Sequence, residues 1–357
     1  MLKFTPPIGI LNTVKDWISL IRNQQDNKVF FKDIYPAALF KKHSKHPPAR
    51  YPKRLEGGYV SGIPNGRVWG LNGAIITPDH YLIWEVSWEK VNPQTDHPIF
   101  KEKTLPDVTA FKGNLADLTH IDGRNYYHWM YETLPRIHLI RQSGLTADSY
   151  IMKAEQTPIH FHNESLGILG VEEGQIIKTN TAIHIQADNL IVPSQPAFAT
   201  KWAYDFLRRT FLTKIGKISK KKRIYISRKW SRKIINEDEL MELLASYHFI
   251  KVELEHLSIR KQAELFANSE AIIAPHGAGL TNLTFCSPST KVIEIFSPTY
   301  ITSLFWVISS FGQLKYHYFI GNHAGRDAEY LNWEWTGVDN IEINIRKFKK
   351  LLETIGF

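Results

Sequence analysis

Between residues 223 and 320, short apolar runs alternate with stretches of helical pattern, and this alternation limits the possible folds more than any other feature. Residues 223–227, 250–254, 271–274, 292–296 and 316–320 read as strands. Asn236, with Glu239 three residues on, forms a variant capping box that opens a helix to residue 247, and Ser258 caps another to residue 268. Helices are expected again at 280–286 and 304–311. Strand–helix units of this length close into a parallel, doubly wound α/β sheet. An amphipathic helix is expected at 345–354.

The first half is less regular. Pro6-Pro7, Pro36 and Pro47-Pro48 break up the first fifty residues. Residues 12–22 place Val14, Trp17, Ile18 and Ile21 on one helical face, suited to a core or to a membrane surface. Residues 74–76 and 81–84 flank a Thr77-Pro78-Asp79-His80 turn and read as a hairpin. A strand is expected at 115–121, then a helix at 125–143 ended by Gly144. Strands at 149–152, 176–177 and 182–192 follow, with a helix at 159–169. The expected domains are 1–197, a linker helix and basic segment at 198–222, and 223–357. Residues 335–357 are expected to pack back on the first domain.

Charge narrows the partners. The chain of 357 residues carries a net +9, and residues 214–233 hold ten lysines and arginines with no acid. The remainder is therefore about neutral. Such a local field attracts phosphates, nucleic acid or anionic lipid. The single cysteine, Cys286, rules out an internal disulfide framework and fits a reducing compartment. No run of 18 apolar residues occurs, so no membrane-spanning helix is expected. The first residues lack a secretory pattern, and a cytoplasmic location is the expectation.

Four features carry chemistry. His276, Gly277, Ala278, Gly279, Leu280, Thr281 and Asn282 lie between a buried strand and a helix. Glycines there allow close backbone approach or positive φ, and the helix start offers unpaired N–H groups to a phosphate. Arg228, just after a strand of the same sheet, can grip a diphosphate bidentately, with Arg232 as a supporting charge. Glu294 is an acid inside an apolar strand and needs a partner, a ribose diol or an internal arginine. His128 and Glu132 are four apart on one helix face and can form an oriented base. No Asp-x-Asp occurs and His-x-x-x-Glu is not the zinc-protease pattern, so no metal is expected. Basic side chains and amides would then do a metal's work on a diphosphate.

Taken in order, these stretches resemble glycosyltransferase family 61. The resemblance rests on Tyr225-Ile226-Ser227-Arg228, Arg232, Asn236-Glu237, Glu253-Leu254-Glu255, Gln262, the 276–282 loop and Val292-Ile293-Glu294-Ile295. His128-Trp129-Met130, Glu132 and Leu134-Pro135-Arg136 add to it. It implies a GT-B-like α/β architecture, two Rossmann-like domains facing across a cleft, with an acceptor-side domain first. It implies an inverting transferase using a nucleotide sugar, usually a UDP sugar, with no further cofactor. The shorter chain is similar to the bacterial type that builds capsule or surface polysaccharide. In that reading His128 or Glu132 takes the acceptor proton, and His128 is preferred for its pKa near working pH. Arg228, Arg232, His276, Gly277, Ala278, Gly279, Leu280, Thr281, Asn282 and Glu294 hold the donor, Glu294 on the ribose. The acceptor is a glycan or lipid-linked glycan, and the basic segment adds a peripheral contact with anionic membrane. The competing reading is a non-enzymatic nucleic-acid binder using residues 214–233. That patch has only Tyr225 and Trp230 to stack bases, so nucleic acid is not the expected partner.

Overall fold

The computed structural model describes residues 5–21, 29–213, 215–216, 222–331 and 336–357. Lys214, Lys217, Lys220 and Lys221 of the basic window lie outside the described residues. The protein is α/β and divides into two compact units. One comprises Met1–Ala38 and Arg54–Ala203, the other Leu39–Lys53 and Tyr204–Phe357. No helix among the described residues is long and apolar enough to cross a membrane.

The second unit is built on a parallel sheet. Its strands run Phe249–Val252, Lys222–Ile226, Ser269–Pro275, Lys291–Phe296 and Lys315–Ile320, each parallel to the next. In chain order this is 2-1-3-4-5, a doubly wound arrangement that reverses direction between Lys222–Ile226 and Ser269–Pro275. Helices Glu237–Ala245, Ile259–Ala267 and Leu304–Phe311 supply crossovers. Tyr225, Leu240, Leu244, Ile273 and Ile293 form the core, together with Phe348 and Leu352 of the C-terminal helix Ile345–Thr354.

Two local expectations for this unit change. The helix expected at 280–286 is a 3-10 helix, Ala278–Phe285. Asn282 Nδ2 donates to Gly279 O at 3.1 Å and Thr284 Oγ1 to Thr281 O at 2.7 Å, both three residues back. These side chains compete for the carbonyls an α-helix would use. Asn236 does not cap its helix either. Its amide instead accepts from Ile343 N and donates to Ile343 O, both at 2.9 Å, tying the C-terminal segment to the helix start.

The first unit adds antiparallel strands to the parallel strand–helix pattern expected of a Rossmann-like domain. Its sheet is mixed. Strands His184–Pro193, Thr109–Asp117, Ser149–Met152 and Ile176–Lys178 are parallel, and helical segments between residues 126 and 168 link the last three. On the other side Gly58–Pro64 and Arg67–Trp69 both pair antiparallel with His184–Pro193, and Arg67–Trp69, Ala74–Ile76 and Tyr81–Ile83, joined by connections too short for a crossover, pair antiparallel in turn. The expected hairpin is present, with Ile76 opposite Leu82 and His80 at φ 76° in its turn. The N-terminal helix Val14–Ile21 buries Val14, Trp17 and Ile21 in the core, and Trp17 Nε1 donates to Asp79 at 2.8 Å. Its apolar face is thus used for packing.

The strand expected at 115–121 ends at Asp117. Asp117 turns the chain there, because Oδ1 accepts from both the amide and the hydroxyl of Thr119, at 2.9 and 2.6 Å. Oδ2 pairs with Arg136, and both side chains are fully buried. Arg136 Nη1 also donates to Thr119 O at 2.8 Å, so this arginine ties the helix Leu134–Ser143 to the strand end. Removing one partner of a buried ion pair typically costs about 3–5 kcal/mol. Arg136→Met should therefore lower stability to chemical denaturation by about that amount. A loss below about 1 kcal/mol would show that the pair does not hold the turn.

Candidate active site

The first group of site residues lies in the N-terminal unit. Asn125 caps a short helix, Tyr126–His128, by accepting from Tyr127 N. A π-helical turn, Trp129–Thr133, follows, and an α-helix resumes at Leu134. Pro135 has no N–H to give Tyr131 O, so the regular ladder is interrupted beside that turn. Even so, His128 and Glu132 meet as the spacing predicts, with Nδ1 to Oε2 at 2.6 Å.

A third side chain joins them. His120 Nε2 lies 2.8 Å from the same Glu132 oxygen, and its ring stacks on His128 at 5.5 Å. The sequence reading missed His120 because it extended the strand past it. The polar Thr119-His120-Ile121-Asp122-Gly123 run after an apolar strand was the available signal of a turn. Burial would raise the Glu132 pKa, but the two imidazoles bonded to it hold it below the ordinary carboxylate value. Burial likewise pulls His128 down. The Glu132 hydrogen bond and charge outweigh that effect and leave His128 above its ordinary value.

His120, His128 and Glu132 bring three ligand-type atoms within 4.8 Å of one another. Proton placement speaks against an ion there. His120 Nδ1 accepts from the Asp122 backbone N–H at 3.0 Å. A metal-bound imidazole normally donates through its other nitrogen, and here that nitrogen is an acceptor. The three residues line a cleft of about 940 Å³ within this unit, together with Tyr35, Glu56 and Trp88. Trp88 is 45 % exposed.

The second group lies in the C-terminal unit, where its sheet reverses direction. Arg228 follows the strand Lys222–Ile226, and the 276–282 loop follows Ser269–Pro275. Ligands of open parallel sheets bind at that switch point, beyond the carboxyl ends of the strands. Arg228 Nε donates to Ser231 O at 2.9 Å, and among the described residues no carboxylate lies within ion-pair distance of it. Burial, reinforced by the Arg232 charge, brings its pKa down to about 9. An arriving anion relieves both effects.

Gly277 has φ 171°, extended backbone open to any residue. A Cβ there would stand 1.6 Å from Arg228 Nη1, so any other residue would push the guanidinium aside. Neither Gly277 nor Gly279 has the positive φ expected of the loop. The amides of Gly277, Ala278 and Gly279 have no acceptor among the described residues, whereas Leu280 N is bonded to Gly277 O at 2.9 Å. Thr281 Oγ1 is buried without a hydrogen-bond partner among the described residues. Asn282 braces the loop by donating to Gln262 Oε1 at 2.6 Å. Arg232 also works as a strut. It sits at φ 59° and donates to His276 O at 2.9 Å and to Gly337 O.

Glu294 is fully buried, and its partners are internal. Oε1 lies 2.5 Å from His276 Nδ1, and Oε2 accepts from Tyr316 OH at 2.5 Å. Both oxygens are engaged, so Glu294 orients His276 where a ribose contact was expected. Burial, with the Arg232 and Arg228 charges, outweighs the pull of Glu294 and holds His276 below its ordinary pKa.

Residues 126–293 match the family model described as Glycosyltransferase 61. The match spans His128, Glu132, Arg228, Arg232 and the 276–282 loop, and stops one residue before Glu294. Over 62 residues (17 % of the chain) the protein is 39 % identical to a β-1,2-xylosyltransferase (RCN11) of Oryza sativa subsp. japonica. Over 98 residues (24 %) it is 28 % identical to a β-1,2-xylosyltransferase of Arabidopsis thaliana. Over 77 residues (20 %) it is 34 % identical to an EGF domain-specific O-linked N-acetylglucosamine transferase of Drosophila melanogaster. These alignments span 12 %, 18 % and 15 % of the respective relatives. Over residues 126–293, just under half its length, the chain is similar to glycosyltransferase family 61.

Proposed function

We propose that the protein is an inverting, metal-independent glycosyltransferase that moves a sugar from a UDP sugar to a hydroxyl of a glycan or lipid-linked glycan. One observation carries the reading: a guanidinium and three backbone amides that lack acceptors among the described residues lie at the switch point of a parallel sheet. That is a receptor for phosphate oxygens. The GT-B architecture, a role in bacterial surface polysaccharide synthesis, and action at the cytoplasmic face with a peripheral contact to anionic membrane belong to the same proposal.

The chemistry is a single displacement. The acceptor hydroxyl gives its proton to His128 Nε2 as its oxygen attacks the anomeric carbon. The bond from that carbon to the diphosphate breaks, and its electron pair leaves with UDP. Charge growing on the diphosphate is met by Arg228 and the Gly277, Ala278 and Gly279 amides, which act without a metal ion. His276, neutral in the empty site, takes up a proton as the diphosphate arrives and then donates to it. A β-linkage, named for two relatives, made from an α-linked donor requires inversion. Trp88 offers the acceptor sugar a ring face in the His128 cleft.

His128→Ala should slow nucleotide release from the donor in the presence of acceptor by about 10²–10⁴-fold, the span of general-base catalysis, while UDP still binds. Near-normal turnover would exclude His128 as the base. A base with a raised pKa loses activity as pH falls through that pKa. The acid limb of kcat/KM should therefore lie above about 6.5, and Glu132→Gln should move it to lower pH. An unmoved limb would contradict the pairing.

Gly277→Ala tests the donor site. The added methyl displaces Arg228, so UDP affinity by calorimetry should fall about tenfold or more, the scale of one lost charge-assisted contact. Unchanged affinity would remove Arg228 from the diphosphate.

A further inference from the structure

We infer that His120 is a positioning residue that tunes the proton affinity of His128 by acting as a second N–H donor on the Glu132 carboxylate. Its consequence for catalysis rests on the transferase reading above; the placement of the protons does not.

A backbone N–H can only donate. Asp122 N lies 3.0 Å from His120 Nδ1, so that nitrogen carries a lone pair and no proton. The ring proton is then on Nε2, 2.8 Å from Glu132 Oε2. His128 Nδ1 lies 2.6 Å from the same oxygen, so it too is an N–H donor, and the His128 lone pair is on Nε2. Two donors converge on one carboxylate oxygen. Each draws charge from it, so each weakens the pull that Glu132 exerts on the other. Without His120, Glu132 would hold the His128 imidazolium more strongly and keep the base protonated to higher pH.

The surroundings fix this arrangement. His120 is buried, and the Asp117–Arg136 pair holds the turn that carries it. The other charged groups acting on His128 are Asp122 and Lys90, which pair with each other at 2.6 Å toward solvent. Tyr127 packs edge-on at 5.3 Å, and burial raises its hydroxyl pKa, so it stays neutral. Glu132 is therefore the one carboxylate directly bonded to His128 among the described residues.

The test is ¹⁵N NMR of the full chain with ¹⁵N-labelled histidine, which reads the protonated ring nitrogen and the titration of each imidazole. In the wild type, His120 should be protonated at Nε2 and neutral His128 at Nδ1. His120→Phe keeps the ring volume and removes the donor, and it should raise the His128 pKa by about 0.5–1 unit. His120→Gln restores an amide donor and should bring that pKa to within about 0.2 unit of wild type. The acid limb of kcat/KM should follow the same shifts. Finding His120 protonated at Nδ1, or an unmoved His128 titration in a folded His120→Phe protein, would overturn the inference. If His120→Phe does not fold, the wild-type tautomer decides. A shifted His128 pKa alongside unimpaired turnover of His128→Ala would uphold the proton coupling and remove the catalytic reading alone.

Discussion

The buried ion pair of Asp117 and Arg136 is the contact on which the N-terminal site depends. Neither side chain reaches solvent, so neither charge can be left unmatched. The pair ends a strand, starts a turn and anchors a helix at once. His120 is carried by that turn, and Glu132 by the π-helical segment just before the anchored helix. The proton positions in the His120–Glu132–His128 group follow from this backbone, because Asp122 N–H points at one ring nitrogen and dictates the rest.

Each unit holds a histidine bonded through Nδ1 to a buried glutamate, yet the two are tuned in opposite directions. Among the described residues no arginine acts on His128, and Glu132 holds its pKa above the ordinary value against the effect of burial. His276 lies near Arg228 and Arg232, and burial with those charges holds it below that value. The same pair of residue types therefore carries a raised imidazole pKa in one place and a lowered one in the other. Environments that push matched groups apart are how one protein assigns acid and base roles.

Much of the second unit was legible because its strands are short apolar-rich runs alternating with stretches of helical pattern. The order of those strands is a long-range property, and no local pattern marks the reversal between Lys222–Ile226 and Ser269–Pro275. Gly277 was legible as a close-approach glycine, but the side chain approaching it was not. Glu294 was correctly read as a buried acid in need of partners, and His276 and Tyr316 fill that need. His120 was hidden by a strand boundary placed four residues too late. The π-helical turn is invisible to a search at the α-helical period. Segment Leu39–Lys53 joins the second unit through contacts such as Trp306 Nε1 to Ser44 Oγ at 3.0 Å, across a sequence gap that no local reading bridges.

In the proposed donor site, side chains and amides of the C-terminal unit bind a nucleotide diphosphate without a metal. Thermal unfolding with UDP in EDTA, repeated with Mg²⁺ or Mn²⁺ and with Arg228→Ala, tests it most directly. A ligand at 100 times its Kd stabilises by about 2.7 kcal/mol, a shift readily measured. That full stabilisation is expected in EDTA, unchanged by either ion and lost in Arg228→Ala. Stabilisation only when the divalent ion is present would contradict it.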